Sequence, residues 1–448
     1  MTPPLLIGAA AGFSGDRVDA GAAVVATLRR RQQPAVLIFE TLAERTLALA
    51  QQARRADPEA GFEPLLDDLI APVLADCLDS GIRIVGNFGA AHPHGAARRI
   101  LQIAHQQGLR APRVAVVTGD DVSGPAHRAM LLAALDDPAD ALQVASANAY
   151  LGAEGIAQAL RDGAEVVVTG RVADPALTLG PALAHFGWAL DDWDRLAGAT
   201  MAGHLLECGA QVSGGYFADP GFKDVPDLAR VGFPIAELHD DGHCVIFKAD
   251  DTGGCVDERT VKEQLLYELH DPAAYLTPDV VADIGAATVE AVGPDRVKLT
   301  GVRGHPRPPT LKVSVFHATG WQAEGEISYA GPGAEARARL AAAVVRERLR
   351  DLDPLRADLI GVASVLGDDG GQWLDAQPPG SGRDVRLRLA TRQPQRRDAE
   401  RLLREVTALY TCGPAGGGGV RTSLRECLGT RSGLLPREAV PHRVEFVT

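Results

Sequence analysis

The stretch Glu165-Val166-Val167-Val168-Thr169-Gly170-Arg171 decides the fold. Its apolar residues are consecutive rather than alternating, which is typical of a strand buried on both faces of a sheet. The run then stops abruptly at small and polar residues. Four other apolar runs stop in the same way, at residues 4–7, 35–39, 82–85 and 114–117. Five such strands, each followed by a helical pattern, predict an α/β fold with a Rossmann-like parallel sheet.

The polar clusters after these strands predict where ligands bind. In open parallel sheets, ligands bind at the carboxyl ends of the strands. We therefore expect one residue from each cluster to lie around a single cleft, namely Ser14, Glu40, Asn87, Asp120 and Arg171. Further candidates for substrate binding at this edge are Asp16, Arg17, Arg45, Thr169 and Asp174.

The composition of the 448 residues is that of a globular protein, with 46% hydrophobic and 23% charged residues. The net charge of -13 comes from interspersed acids and bases, which argues against nucleic-acid binding. No apolar run approaches the length of a membrane span, and the first residues lack an export pattern, so we expect a cytoplasmic protein. The six cysteines show no C-x-x-C spacing, and no metal site is predicted.

The order of predicted elements suggests three regions. Residues 1–235 carry the parallel-sheet domain, residues 236–320 form a mixed connecting region, and residues 321–448 form a smaller α+β domain with a glycine-rich loop. After residue 324 the order is strand, helix, strand, strand, helix, strand, with the last strand at 444–447. That order matches a ferredoxin-like unit.

Two acidic side chains near the second strand are candidates for proton transfer. Glu40 ends a buried strand, where burial raises the pKa of a carboxyl group toward the range of a general acid. The spacing of Thr41 and Glu44 predicts a capping box at the next helix. Likewise, Asp174 before Pro175 predicts an N-cap.

Ser14 and the pair His204 and Glu207 are the other catalytic candidates. Ser14 is either a nucleophile or a cap of the first helix, because the second glycine of G-x-S-x-G is replaced by Asp16. His204 and Glu207 share one face if their segment is helical. They serve either acid/base chemistry or an internal hydrogen bond.

Arginines and glycines are candidates for binding an anion. Arg17, Arg45 and Arg171 would form a bidentate site if they converged, whereas alone each would pair with a local acid, such as Arg171 with Asp174. Asn87 offers an amide to a carbonyl group or fills a turn. The run at 416–419 lacks the lysine of a phosphate loop, so Gly417, Gly418 and Arg421 belong to an anion-binding loop, a mobile lid or a flexible insertion.

Several blocks together resemble the acyclic terpene utilisation (AtuA) family. They include the segments at 12–17, 42–46, 86–89, 169–176, 207–209, 214–217, 252–254, 261–268 and 326–332. The resemblance covers most of the chain. It implies bacterial catabolism of citronellol- and geraniol-type branched acids through coenzyme A thioesters, and it carries no catalytic residues over to this sequence.

The residues and the resemblance lead to one main expectation and two alternatives. The main expectation is a catabolic enzyme that hydrates, dehydrates or isomerises a branched or unsaturated carboxylic acid or its acyl-CoA thioester. The alternatives are a non-catalytic acyl-CoA or carboxylate-binding subunit that needs a partner chain, and a serine hydrolase or thioesterase. The sequence demands no cofactor. The expected partner is a small-molecule substrate, and a homo-oligomer or a small partner subunit is compatible with the sequence.

Overall fold

The computed structural model describes residues 2–135, 144–378 and 380–447. The chain forms two compact units. The first comprises Met1–Val315 and Thr430–Thr448, and the second comprises Phe316–Gly429. Residues 236–315 thus belong to the first unit, and the last residues of the chain return to it.

The strands, in chain order, have the following bounds: β1 Leu5–Ala9, β2 Ala35–Phe39, β3 Arg83–Gly86, β4 Val114–Thr118, β5 Val144–Ala149, β6 Val166–Thr169, β7 Pro234–Leu238, β8 Cys244–Lys248, β9 Tyr275–Leu276, β10 Val281–Asp283, β11 Thr288–Gly293, β12 Arg296–Thr300, β13 Arg303–His305, β14 Thr310–Ala330, β15 Leu355–Ile360, β16 Asp384–Gln393, β17 Gly418–Pro436 and β18 Arg443–Val447.

The helices have these bounds: α1 Ala20–Arg31, α2 Glu44–Ala56, α3 Leu66–Ile70, α4 Leu74–Ser80, α5 Pro93–Gln106, α6 Arg128–Ala134, α7 Glu154–Arg161, α8 Ala176–Phe186, α9 Trp193–Glu207, α10 Glu258–Leu266, α11 Ala334–Arg348, α12 Gln372–Ala376 and α13 Arg396–Cys412. No helix within the described ranges combines the length and the apolar character needed to cross a membrane.

A ten-stranded mixed sheet organises the first unit, in the order β11-β12-β8-β7-β1-β2-β3-β6-β4-β18. The five strands predicted from the sequence are its parallel centre, β1-β2-β3-β6-β4. Antiparallel strands extend the sheet on both sides. The α/β class is therefore confirmed.

Continuous apolar runs form these central strands because both faces of the sheet are covered. Along β6, Val167 points into one hydrophobic core and its neighbour Val166 points into the other. Neither valine is accessible to solvent. A polar residue at either position would lie unpaired in a core, which explains why the runs do not alternate.

The final strand corrects the prediction of a ferredoxin-like unit. The sequence pattern predicts that the strand at the chain end belongs to the second sheet, but β18 pairs antiparallel with β4, with Val444 opposite Val117. A five-residue strand does not encode its partner, because strand pairing depends on packing between distant segments. The second unit instead uses the order β15-β16-β14-β17, and helices α11 and α13 share a core with this sheet.

The glycine run also differs from its predicted form. Gly418 and the residues after it, including Arg421, belong to the long strand β17 rather than to a loop. Gly416 and Gly419 have φ angles of 73° and 65°, in the left-handed region that favours glycine. Gly416 and Gly419 therefore supply the left-handed backbone conformations at the start of β17.

Two predicted helix starts are wrong as well, and one of the two alternatives for Ser14 is excluded. Helix α2 begins at Glu44 without a side-chain cap, because the backbone and hydroxyl of Thr41 bond to Asn87 instead. Helix α8 follows Pro175, and the carboxylate of Asp174 is paired with Arg171. Helix α1 begins at Ala20, so Ser14 lies in the loop before it and does not cap it.

Candidate active site

Hydrogen bonds join the residues that follow the central strands. Asn87, directly after β3, donates from Nδ2 to Glu40 Oε1 over 2.8 Å, and Glu40 directly follows β2. The backbone N–H of Arg171, after β6, donates to Asp120 Oδ2 over 2.9 Å, and Asp120 follows β4. These four residues lie at one edge of the sheet because parallel strands end there together.

A cleft of about 640 Å³ opens at this edge within the first unit. We call it the carboxylate cleft, after the acids among its lining residues. Its ionisable lining consists of Asp16, Glu40, Glu44, Tyr150, Arg171, Asp174, Glu207, Cys208, Tyr216, Tyr267, Glu268 and Lys312. Despite this density, no three His, Cys, Asp or Glu side chains in the described part of the chain are arranged to hold a metal ion.

Glu40 is a strongly perturbed acid of the carboxylate cleft. Its side chain is almost entirely buried, at 6% exposure. Burial, followed by the negative charge of Asp174, raises the pKa of Glu40 to about 8, although Arg171 and two hydrogen bonds act in the opposite direction. Those bonds come from the Leu42 N–H and from Asn87, and both reach Oε1. At neutral pH the group therefore carries a proton.

His204 and Glu207 form the internal pair that their spacing allowed. They lie in the last turn of α9, with 2.8 Å between His204 Nδ1 and Glu207 Oε1. Burial raises the pKa of Glu207 to about 7, against the effect of His204. Glu207 lines the carboxylate cleft, and its Oε2 is buried with no hydrogen-bond partner among the residues that the structure describes. A second carboxyl group that titrates near neutrality thus faces the same space.

The three arginines do not converge, contrary to the arrangement that would bind an anion. Arg17 is exposed and paired with Asp19. Arg45 is exposed on α2. Only Arg171 lines the carboxylate cleft.

Arg171 is committed to the protein itself. Its side chain is 1% exposed, and Nε donates to the Val172 carbonyl over 2.7 Å. The Nη atoms donate to the carbonyl oxygens of Leu42 and Val172 and to the Asp174 carboxylate. These bonds match the alternative in which Arg171 pairs with a local acid. The guanidinium fixes the loop after β2 against the loop after β6.

A cluster that the sequence patterns did not predict also lines the carboxylate cleft. Tyr150, directly after β5, donates its hydroxyl to Glu44, and Lys312 Nζ lies 3.0 Å from the same Glu44 oxygen. Burial alone would raise the pKa of Glu44, but these two bonds stabilise its ionised form and lower the pKa to about 2. The Arg171 guanidinium carbon and Lys312 Nζ lie 4.6 and 4.7 Å from the centre of the Tyr150 ring.

Tyr150 and Lys312 lie in segments that contain no sequence motif. The sequence pattern alone therefore could not mark them as cleft residues. Other lining residues had a signal. Tyr267 and Glu268 close one of the blocks that carry the family resemblance, and Tyr216 lies within another. Reading those blocks as contributions to one cavity would have identified them.

Asp120 lines a neighbouring cavity rather than the carboxylate cleft. This cavity, of about 720 Å³, also includes Asn148, whose amide donates to Asp120 over 2.8 Å. Burial raises the pKa of Asp120 to about 6. A Cβ atom at Gly170 would lie 2.7 Å from the Asp120 oxygens, so glycine is needed for the bond between Asp120 and Arg171.

The remaining candidates occupy several environments. Asp16 lines the carboxylate cleft and accepts the N–H groups of Gly12 and Arg17. Ser14 neighbours the buried Glu63 carboxyl group rather than a histidine. The hydroxyl of Thr169 is buried and donates to the Gly170 carbonyl.

Two further predictions concern residues away from the cleft lining. Asn87 is fully buried, with its amide used by Thr41 and Glu40, so it positions Glu40 instead of presenting a donor to a ligand. Gly417, Gly418 and Arg421 lie in the second unit. Their part in substrate binding stays a prediction.

Comparison with known proteins identifies a family. The model of the family described as acyclic terpene utilisation family protein AtuA matches residues 5–446. No curated protein matches the chain significantly.

Proposed function

The chain belongs to the AtuA family, which is implicated in acyclic terpene utilisation, and on this premise we propose that it is an acid/base enzyme of catabolism. The proposed reaction is hydration, dehydration or isomerisation of a branched or unsaturated carboxylic acid, bound as its acyl-CoA thioester. The observation that carries the proposal is Glu40, a buried carboxyl group that opens on a cleft and keeps its proton at neutral pH.

The hydrogen bonds of Glu40 determine which oxygen transfers the proton. Oε1 accepts from both Leu42 and Asn87, at 2.8 Å each. An oxygen that accepts two hydrogen bonds is a poor place for the proton, so Oε2 carries it. Glu40 is thereby a general acid with a fixed orientation.

Glu207 supplies the complementary base in this proposal. In hydration, Glu40 gives its proton to one carbon of the double bond, and water adds its oxygen to the other carbon. Glu207, held by His204, takes the proton that the water loses. Dehydration is the same sequence in reverse. The pKa of about 7 for Glu207 allows it to accept and return a proton near neutral pH.

The charged groups of the carboxylate cleft favour a thioester over a free carboxylate. Asp16, Glu44 and Asp174 line the cleft, and its two cations are already paired, Arg171 with Asp174 and Lys312 with Glu44. Lys312 is about half exposed and can reach a substrate oxygen. A thioester carbonyl is neutral, so it avoids the repulsion that these acids would exert on a carboxylate.

The test compares two buried glutamates at the same edge of the sheet. Glu40→Gln keeps the shape and the hydrogen-bond acceptor but removes the proton, so single-turnover rates should fall roughly a hundredfold or more while substrate binding changes little. Glu63→Gln is the matched control, because Glu63 is 2% exposed and its pKa is raised by burial, yet it does not line the carboxylate cleft.

In this assay the protein is incubated with branched enoyl-CoA thioesters, and mass spectrometry detects the gain or loss of one water. Normal turnover by Glu40→Gln would refute its role as the acid. Tight binding without conversion by the wild type would favour the non-catalytic subunit. Release of free coenzyme A would favour the thioesterase.

A further inference from the structure

A second, apolar cavity adjoins the carboxylate cleft. It measures about 380 Å³ and lies within the first unit. Its apolar wall is formed by Tyr275, Leu276, Pro278, Pro308, Leu311 and Leu434. The prolines have no N–H group and a restricted φ angle, so this wall is stiff and poor in hydrogen-bond donors.

The two cavities meet at shared residues. Tyr150, Asp174 and Lys312 line both of them. Tyr275, which lines the apolar cavity, packs its ring 5.3 Å from the ring of His204, the partner of Glu207. The apolar cavity therefore begins beside His204 and Glu207, the pair that supplies the base in the proposed reaction.

Two leucines of the apolar wall are unusually exposed. Leu276 is 67% exposed and Leu434 is 60% exposed, although both line a concave surface. Large apolar side chains exposed in a cavity gain free energy when an apolar ligand covers them. A polar ligand would gain no such free energy from contact with these two leucines.

We propose that this cavity binds the aliphatic chain of the substrate whose reacting end lies in the carboxylate cleft; the inference rests on the proposed function for the position of that reacting end. A methylene group occupies about the volume of a water molecule, about 30 Å³, so the cavity holds roughly a dozen chain carbons. The thioester end of the chain then stays on the side of Lys312 and Asp174, which line both cavities.

Binding of saturated acyl-CoA thioesters tests the proposal without turnover, because they have no double bond to hydrate. Calorimetric titration with the series from butanoyl to hexadecanoyl, below the micelle-forming concentrations, should give about fourfold tighter binding for each added methylene. The gain should stop near dodecanoyl. Free fatty acids of the same lengths form a parallel series, which shows whether the chain alone or the thioester is recognised.

Substitutions that fill the cavity complete the test. Leu276→Trp and Leu434→Trp lie on different strands, and each should abolish the gain for long chains while leaving butanoyl-CoA binding unchanged. Leu340→Trp is the control, because Leu340 is 55% exposed on α11 and lines neither cavity.

A chain-length series without a gradient, or an identical gradient in both cavity variants, would overturn the proposal. Either result would leave the assignment of Glu40 intact, since that assignment depends on turnover. Conversely, normal turnover by Glu40→Gln together with a chain-length gradient would refute the chemistry and retain the chain-binding cavity.

Discussion

The buried acid Glu40 should make the stability of the protein fall as pH rises. Its pKa is 4.5 in the ordinary state and about 8 in the folded protein. Between these values the folded state holds one proton more than the unfolded state. The free energy of unfolding then decreases by about 1.4 kcal/mol per pH unit. Above about pH 8, Glu40 is ionised in both states, and the whole loss of stability that its burial causes is present.

Replacement of Glu40 by glutamine should remove this dependence. Glutamine presents an oxygen to Leu42 and Asn87 but has no proton to lose. The free energy of unfolding of Glu40→Gln minus that of the wild type should therefore increase by about 2.7 kcal/mol from about pH 5 to about pH 7. Urea denaturation followed by circular dichroism at both pH values measures it.

Glu44→Gln is the control, because the pKa of Glu44 is lowered to about 2. Glu44 is ionised in both the folded and the unfolded state above about pH 5, so the effect of its replacement should not change over the same interval. A difference between Glu40→Gln and wild type that is constant with pH would refute the conclusion that Glu40 folds with its proton.

Two further predictions concern activity and folding. The rate of the chemical step should decrease as pH rises through about 8, because Glu40 then loses the proton it donates, and a flat profile in single-turnover measurements would argue against it. Arg171→Ala should lower the free energy of unfolding by about 3 to 5 kcal/mol, because it leaves Asp174 and two carbonyl groups without their buried partner, whereas Arg45→Ala at an exposed position should change it by less than about 0.5 kcal/mol. If Arg171→Ala unfolds at the normal temperature but binds substrate weakly, Arg171 holds the substrate and is not needed for stability.

The central sheet could be predicted because the information is local. The strands β2 and β6 are buried on both faces, and such strands are recognisable because their apolar residues are consecutive. The position of Glu40 followed directly, since parallel strands end at a common edge. Its proton was also foreseeable, because a carboxyl group at the end of a buried run loses solvation.

The predictions that were wrong or missing concern contacts between distant segments. Whether Thr41 caps a helix was decided by Asn87, forty-six residues away, which takes the hydrogen bonds of Thr41. Tyr150 and Lys312 meet at Glu44 only after three segments have folded together. Nothing in the local sequence around either residue carries that information.

The antiparallel pairing of β18 with β4 has a consequence for biosynthesis. A ribosome delivers β4 more than three hundred residues before its edge partner, and for that interval the backbone groups of β4 on that side have no strand to bond. Unpaired strand edges recruit other chains. Translation of this protein therefore includes a long period in which a nascent sheet needs protection, by chaperones or by fast elongation, until residues 443–447 leave the exit tunnel.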